Sequence, residues 1–122
     1  PTTIYTHHCG DLNIDHRITH QAVMTACRPQ PNFYVQKIFT FEVLSSTEWV
    51  APSVSNIFIP NYFVDIKKYK SKKEKLLTFY KHEMRLPPHS RSIKNLNSLS
   101  IFRGGIVGLD NAEAFLVNRI ID

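Results

Sequence analysis

The stretch Thr2-Thr3-Ile4-Tyr5-Thr6-His7-His8-Cys9-Gly10-Asp11-Leu12-Asn13-Ile14-Asp15-His16 decides how the chain is read. Thr2 to Thr6 is β-branched and aromatic and predicts a short strand. His7 to Asn13 carries one Gly and two Asx residues and predicts a loop. Asp15 is then a suitable N-cap for a helix from His16 to about Cys27, because its carboxylate can accept the unpaired N–H groups of a first turn. Four of the six histidines, one of the two cysteines and two carboxylates fall between Thr6 and His20. Side chains that bind metals or move protons are thus concentrated at a strand-to-helix turn.

Working outward, Ile18, Ala22 and Ala26, flanked by Val23, recur at helical spacing and predict the buried stripe of that helix. His16 and His20 lie together on the wheel, away from it. Arg28-Pro29-Gln30-Pro31-Asn32 stops the helix. Val35 to Leu44 predicts a second strand, apolar enough to be buried on both faces. Strand, helix, strand is the βαβ unit of an α/β protein with a parallel sheet.

Ser45 to Ser55 reads as a loop holding the single Trp, Trp49. Ile57 to Ile59 and Tyr62 to Ile66 are short β-type runs around Pro60-Asn61. Lys67 to about Met84 is the longest expected helix, with Tyr69, the Lys73 stem, Leu76, Leu77, Tyr80 and Met84 inward. Pro87-Pro88-His89 ends that region. Ser90 or Ser92 can cap a helix to Phe102, with Ile93, Leu96 and Leu99 inward and Gly104 as C-cap. Ala114 to Ile121 reads as a closing strand, with a helix as the alternative for Ala112 to Phe115.

Composition bounds the class. With 122 residues, 43% hydrophobic and 20% charged, the chain is expected to form a single globular domain over 1–122. There is no run of about 18 apolar residues to span a membrane, and no basic-then-apolar leader. Without export signals, Cys9 and Cys27 are expected to be free thiols and the location cytoplasmic. Six lysines lie between Lys67 and Lys75. Such a run can bind polyanions, but it reads first as a solvated helix face rather than a base-reading surface, which argues against nucleic acid as a partner.

Ligands of open α/β sheets bind beyond the carboxyl ends of the strands, and the His7–Asp15 loop follows the first strand. A hydrolytic zinc site takes three His or carboxylate ligands and leaves a position for water. His16 beside Asp15 suits one such ligand. A capped helix with surface histidines, or a structural polar loop, fits the same spacing.

Gly10-Asp11-Leu12-Asn13-Ile14-Asp15-His16-Arg17, followed by His20 and Ala22-Val23, resembles the second motif of the PIG-L/LmbE-like family of zinc-dependent N-deacetylases. Phe41-Glu42 with Ser45-Ser46-Thr47-Glu48-Trp49 is similar to a mid-domain segment of that family. So are Glu83-Met84-Arg85 with Pro88-His89-Ser90-Arg91-Ser92, and Arg103-Gly104 to Gly108 with Ala112-Glu113-Ala114-Phe115. The resemblance implies a Rossmann-like α/β sheet and hydrolysis of the N-acetyl group of a GlcNAc-type sugar or a related amide. It implies zinc held by a His and an Asp of an N-terminal His-Pro-Asp-Asp motif and by His16. Asp15 is similar to the carboxylate that orients the neighbouring catalytic group. Asn13 stands where the family carries a proton-transferring His; it can donate to an oxyanion but cannot shuttle a proton, a task open to His7, His8 or His20. His89, Arg85 and Arg91 are implied at the substrate rim.

No His-Pro-Asp-Asp motif occurs in these 122 residues. The chain resembles the C-terminal part of a deacetylase, to be completed by an N-terminal half. The alternative expectation is a non-catalytic remnant that self-associates, as a homodimer, or binds a partner through surface left uncovered.

Overall fold

The structure is a computed structural model and describes residues 1–32 and 34–122. It is mixed α/β. Strands β1 (Thr3–His7), β2 (Lys37–Phe41), β3 (Tyr62–Asp65) and β4 (Ala112–Ile120) form one sheet in the order β1-β2-β4-β3. The helices are α1 (Ile14–Ala26), α2 (Lys70–Leu77) and α3 (Ile93–Ile106). The chain divides into two compact units, one of residues 1–62 with 115–122 and the other of residues 63–114.

In the first unit β1 and β2 run parallel, with Thr3 opposite Lys37 and His7 opposite Phe41. α1 is the connection between them, so the expected βαβ unit forms. β2 pairs antiparallel with β4, Phe41 opposite Phe115, with an irregularity at Ile38/Phe39. The sheet is therefore mixed, not all-parallel as expected. β2, flanked on both sides, buries Ile38, Phe39 and Thr40. Strand alternation puts Tyr5 and Phe39 on one face, where their rings stack 5.3 Å apart and Tyr62 stacks 4.7 Å from Phe39. Ile57–Ile59, expected as a strand, is loop.

α1 departs from expectation at its start and in its rotation. Asn13, not Asp15, is the N-cap, with extended backbone (φ −69°, ψ 124°) and Oδ1 accepting the Asp15 N–H at 2.9 Å. The stripe of Ile18, Ala22 and Ala26 faces solvent, with Ile18 57% exposed. His20, expected outside, is buried, and His16, Val23, Met24 and Cys27 share the inner side as half-buried residues. The cause is polar. The His20 ring meets the His7 carbonyl at 2.8 Å and His16 meets a buried carboxylate, and these contacts turn the helix against its weak aliphatic stripe.

In the second unit the helical run begins where Asp65 Oδ1 accepts the Lys67 N–H at 2.8 Å. It is 3-10 over Lys67–Tyr69, α-helical as α2, and 3-10 again over Thr78–Tyr80. It thus ends four residues short of Met84, where the Thr78 hydroxyl donates back to the Lys75 carbonyl at 2.7 Å and the backbone tightens. Tyr69, Leu76 and Tyr80, expected inside, are exposed, while Lys73, Leu77 and Met84 are half-buried. Ser92 caps α3 through its hydroxyl, which accepts the Asn95 N–H at 3.2 Å. α3 runs past Gly104, the expected C-cap, to Ile106, and glycine is required at 104 because a Cβ there would stand 2.5 Å from the Leu109 carbonyl oxygen. Gly108, with φ +77°, makes the left-handed turn into β4.

Candidate functional site

At the carboxyl end of β1 the chain turns through His8, Cys9 and Gly10. His8 is buried, and its Nε2 lies 3.1 Å from the Asn56 carbonyl oxygen. A Cβ on Gly10 would come within 2.5 Å of the Asn56 Cα, so the backbones touch there and only glycine fits. This close approach sets the position of the next residue, Asp11.

The Asp11 side chain is wholly inaccessible to solvent. Its Oδ1 accepts the Asn13 N–H at 2.8 Å and the Ser46 hydroxyl, and its Oδ2 accepts the Thr47 hydroxyl at 2.8 Å. His16 Nδ1 lies 3.1 Å from Oδ1. Burial alone works against the charged carboxylate. The Ser46 hydroxyl, the Asn13 amide, the Thr47 hydroxyl and the nearby His16 outweigh it, and the group is held below the ordinary carboxylate value.

The loop after β2 is shaped to present those hydroxyls. Ser45 adopts a left-handed conformation at φ +66°. The Glu48 carboxylate accepts the Ser45 and Ser46 N–H groups at 2.6 and 3.3 Å. Thr47 also accepts the Val43 N–H through its hydroxyl oxygen at 2.8 Å. On the other side, Arg17 donates to the carbonyls of Asp11 and Leu12, both at 2.8 Å, and ties the loop to the first turn of α1.

A neutral His16 that donates Nδ1–H to Asp11 keeps its lone pair on Nε2, the tautomer that binds a metal or takes a proton. Its side chain is 17% exposed. The His7 ring stacks on it, centroids 4.0 Å apart and planes 19° from parallel. Burial, then the neighbouring His16, pushes the His7 pKa down, against a smaller opposing pull from Asp11. Imidazole lone pairs lie in the ring plane, so two rings stacked this way do not converge on one ion. Among the described residues no group of three or more His, Cys, Asp or Glu side chains is arranged to hold a metal ion.

The expected site residues are placed as follows. His16 is at the centre. Asn13 spends its carbonyl oxygen on capping α1. Asp15 is exposed in the first turn of α1, and the carboxylate beside His16 is Asp11. His89, Arg85 and Arg91 belong to the second unit and form a local network. There the Arg85 N–H donates to the Arg91 carbonyl at 3.0 Å, the Arg91 N–H to His89 Nδ1 at 3.0 Å, and the Arg91 guanidinium to Glu83 at 2.7 Å. Cys9 and Cys27 are both free.

Asp11, Ser46 and Thr47 carry the geometry, yet residue types and spacing in the sequence assign none of them the role of orienting His16. Gly10 immediately before Asp11 was the available signal, since a required glycine pins its neighbour. Neither a protein-family model nor a curated protein matches the chain.

Proposed function

We propose that this chain supplies one wall of a zinc-dependent N-deacetylase site of the PIG-L/LmbE type, acting on the N-acetyl group of a GlcNAc-type sugar or a related amide. The observation that carries the reading is the buried Asp11 carboxylate held 3.1 Å from His16 Nδ1. Metal-ligating histidines characteristically donate their second ring N–H to a carboxylate, which fixes the tautomer and raises ligand basicity. The position beyond the end of a parallel strand, with α1 as its crossover, supports a Rossmann-like framework.

In this reading His16 Nε2 is the ligand atom, and Asp11, clamped by Ser46 and Thr47, orients it. Zinc held there together with the remaining ligands would supply the Lewis acidity that activates a water toward the amide carbonyl. Asn13 Nδ2 is the atom of that side chain left to donate to a developing oxyanion, and Asp15 is the exposed carboxylate nearest in sequence. His7 stacks on His16 and fixes its plane. The remaining ligands come from a His-Pro-Asp-Asp motif outside these residues. The rim roles of His89, Arg85 and Arg91 rest on the resemblance alone. With both thiols free, we place the protein in the cytoplasm.

The test is acetate release from an N-acetylglucosamine derivative with zinc present and a chain supplying the His-Pro-Asp-Asp motif. Release that disappears in His16→Ala is the expected result. Equal release by His16→Ala sinks the proposal.

A second reading, a self-associating module without catalysis, is favoured by the outward side of α1, where Ile14 is 62% and Ile18 57% exposed. It predicts a dimer in sedimentation equilibrium that Ile18→Glu dissociates; a monomeric parent chain excludes it.

A further inference from the structure

The helical run from Lys67 to Tyr80 presents an unusual outer side. Tyr69, Leu76, Phe79 and Tyr80 are 61%, 51%, 73% and 63% exposed. Lys68, Lys72 and Lys75 are exposed among them, and Lys70 is half-buried. The inner side is already satisfied within its unit. Lys73 pairs with Glu113 at 2.6 Å, and Leu77 is half-buried. Glu74, the one acid of the run, accepts from Asn97 on α3 at 2.7 Å. Lys67 pairs with Asp110 at 2.5 Å. Among the described residues no carboxylate stands within ion-pair distance of Lys68, Lys70, Lys72 or Lys75.

We propose that this outer side is a peripheral docking surface for an anionic lipid bilayer. Charge complementarity selects a negatively charged partner, because the one acid of the run, Glu74, is taken up by Asn97 and the neighbouring Asp110 and Glu113 are already paired with Lys67 and Lys73. The apolar residues select the kind of polyanion. A helix lying in a membrane interface buries Leu and Phe at the headgroup–acyl boundary, anchors Tyr at headgroup level and lets lysine stems reach up to lipid phosphates. Leu76 has no π-face to stack on a base, and the run contains no arginine to read a base edge, so nucleic acid matches this surface less well. No described helix is long and apolar enough to cross a membrane, and the surface calls for adsorption only.

The experiment is co-sedimentation of the 122-residue chain with vesicles of pure phosphatidylcholine and of phosphatidylcholine with equal phosphatidylglycerol. The expected result is partition onto the anionic vesicles only, weakening as salt is added. The triple change Lys68→Gln, Lys72→Gln, Lys75→Gln weakens it about a hundredfold. The double change Leu76→Ser, Phe79→Ser weakens it at least about tenfold. The corresponding lysine-to-arginine triple retains binding. All these positions are exposed, and circular dichroism confirms that each variant is folded; if the serine pair is not, the glutamine and arginine triples decide. Three results overturn the proposal: equal or no partition onto the two vesicles, serine-pair binding equal to the parent, or tighter binding to a DNA duplex that the serine pair leaves unchanged.

Discussion

Asp11 is a charge taken fully out of water and kept charged by donors, so its neighbours determine what it contributes. Asp11→Asn replaces one acceptor oxygen with an amide that faces hydroxyl and amide donors. It is expected to lower unfolding free energy by about 1–3 kcal/mol in urea titration, whereas Ser46→Ala, which removes one donor of several, costs about 1 kcal/mol. Equal effects would mean that the cluster does not act as a carboxylate clamp.

His7 gives the chain an acid sensitivity with a defined sign. Its folded pKa lies below the 6.5 of the unfolded imidazole, so the unfolded chain binds protons more readily. Stability is unaffected well above that value and falls as pH drops below it, until the folded value is passed. Asp11 acts in the same direction further down: its contribution is present above 3.8 and lost as pH falls through its lower folded value. His7→Asn is expected to flatten the stability profile between neutral pH and about pH 5 while leaving the lower limb in place. An unchanged profile would contradict the assignment. None of this was legible from residue types, since His7 and His16 are nine positions apart and meet only when the strand and helix pack.

At the scale of elements, local chemistry was readable and rotation was not. The β1–α1–β2 unit follows from the β-branched run, the loop residues and the proline stop. The Ser92 cap follows from a hydroxyl ahead of an apolar run. The face that α1 buries does not follow, because its aliphatic stripe is short and two imidazoles find partners on the opposite side. The same holds for the run after Lys67, where spacing alone pointed Tyr69, Leu76 and Tyr80 inward. The adjacent glycines of α3 make a direct test of packing against propensity. Gly104→Ala is expected to cost about 1–3 kcal/mol through the clash with the Leu109 carbonyl. Gly105→Ala, which meets nothing within 4 Å, is expected to add about 0.5–1 kcal/mol. Thermal unfolding of the pair checks both signs, and a shared sign would refute the close approach.

For the molecule as a whole, the strand–helix–strand order predicts an α/β protein, and the mixed four-stranded sheet agrees with it. The antiparallel placement of β4 beside β2 was not readable, because pairing partners distant in sequence leave no local mark. The site was half legible. The His16 region stood out by density of titratable groups, but the carboxylate that orients His16 comes from a loop fixed by Gly10 against Asn56 and by two hydroxyls more than thirty residues away. The central proposal is that this loop holds His16 with Nε2 presented to a metal. Nitrogen-15 NMR of the imidazoles during zinc titration tests it most directly. The expected spectrum shows His16 protonated at Nδ1, with Nε2 the nitrogen that zinc shifts and the shift weakened in Asp11→Asn. A His16 protonated at Nε2, or one that zinc leaves unchanged while other histidines respond, would contradict it.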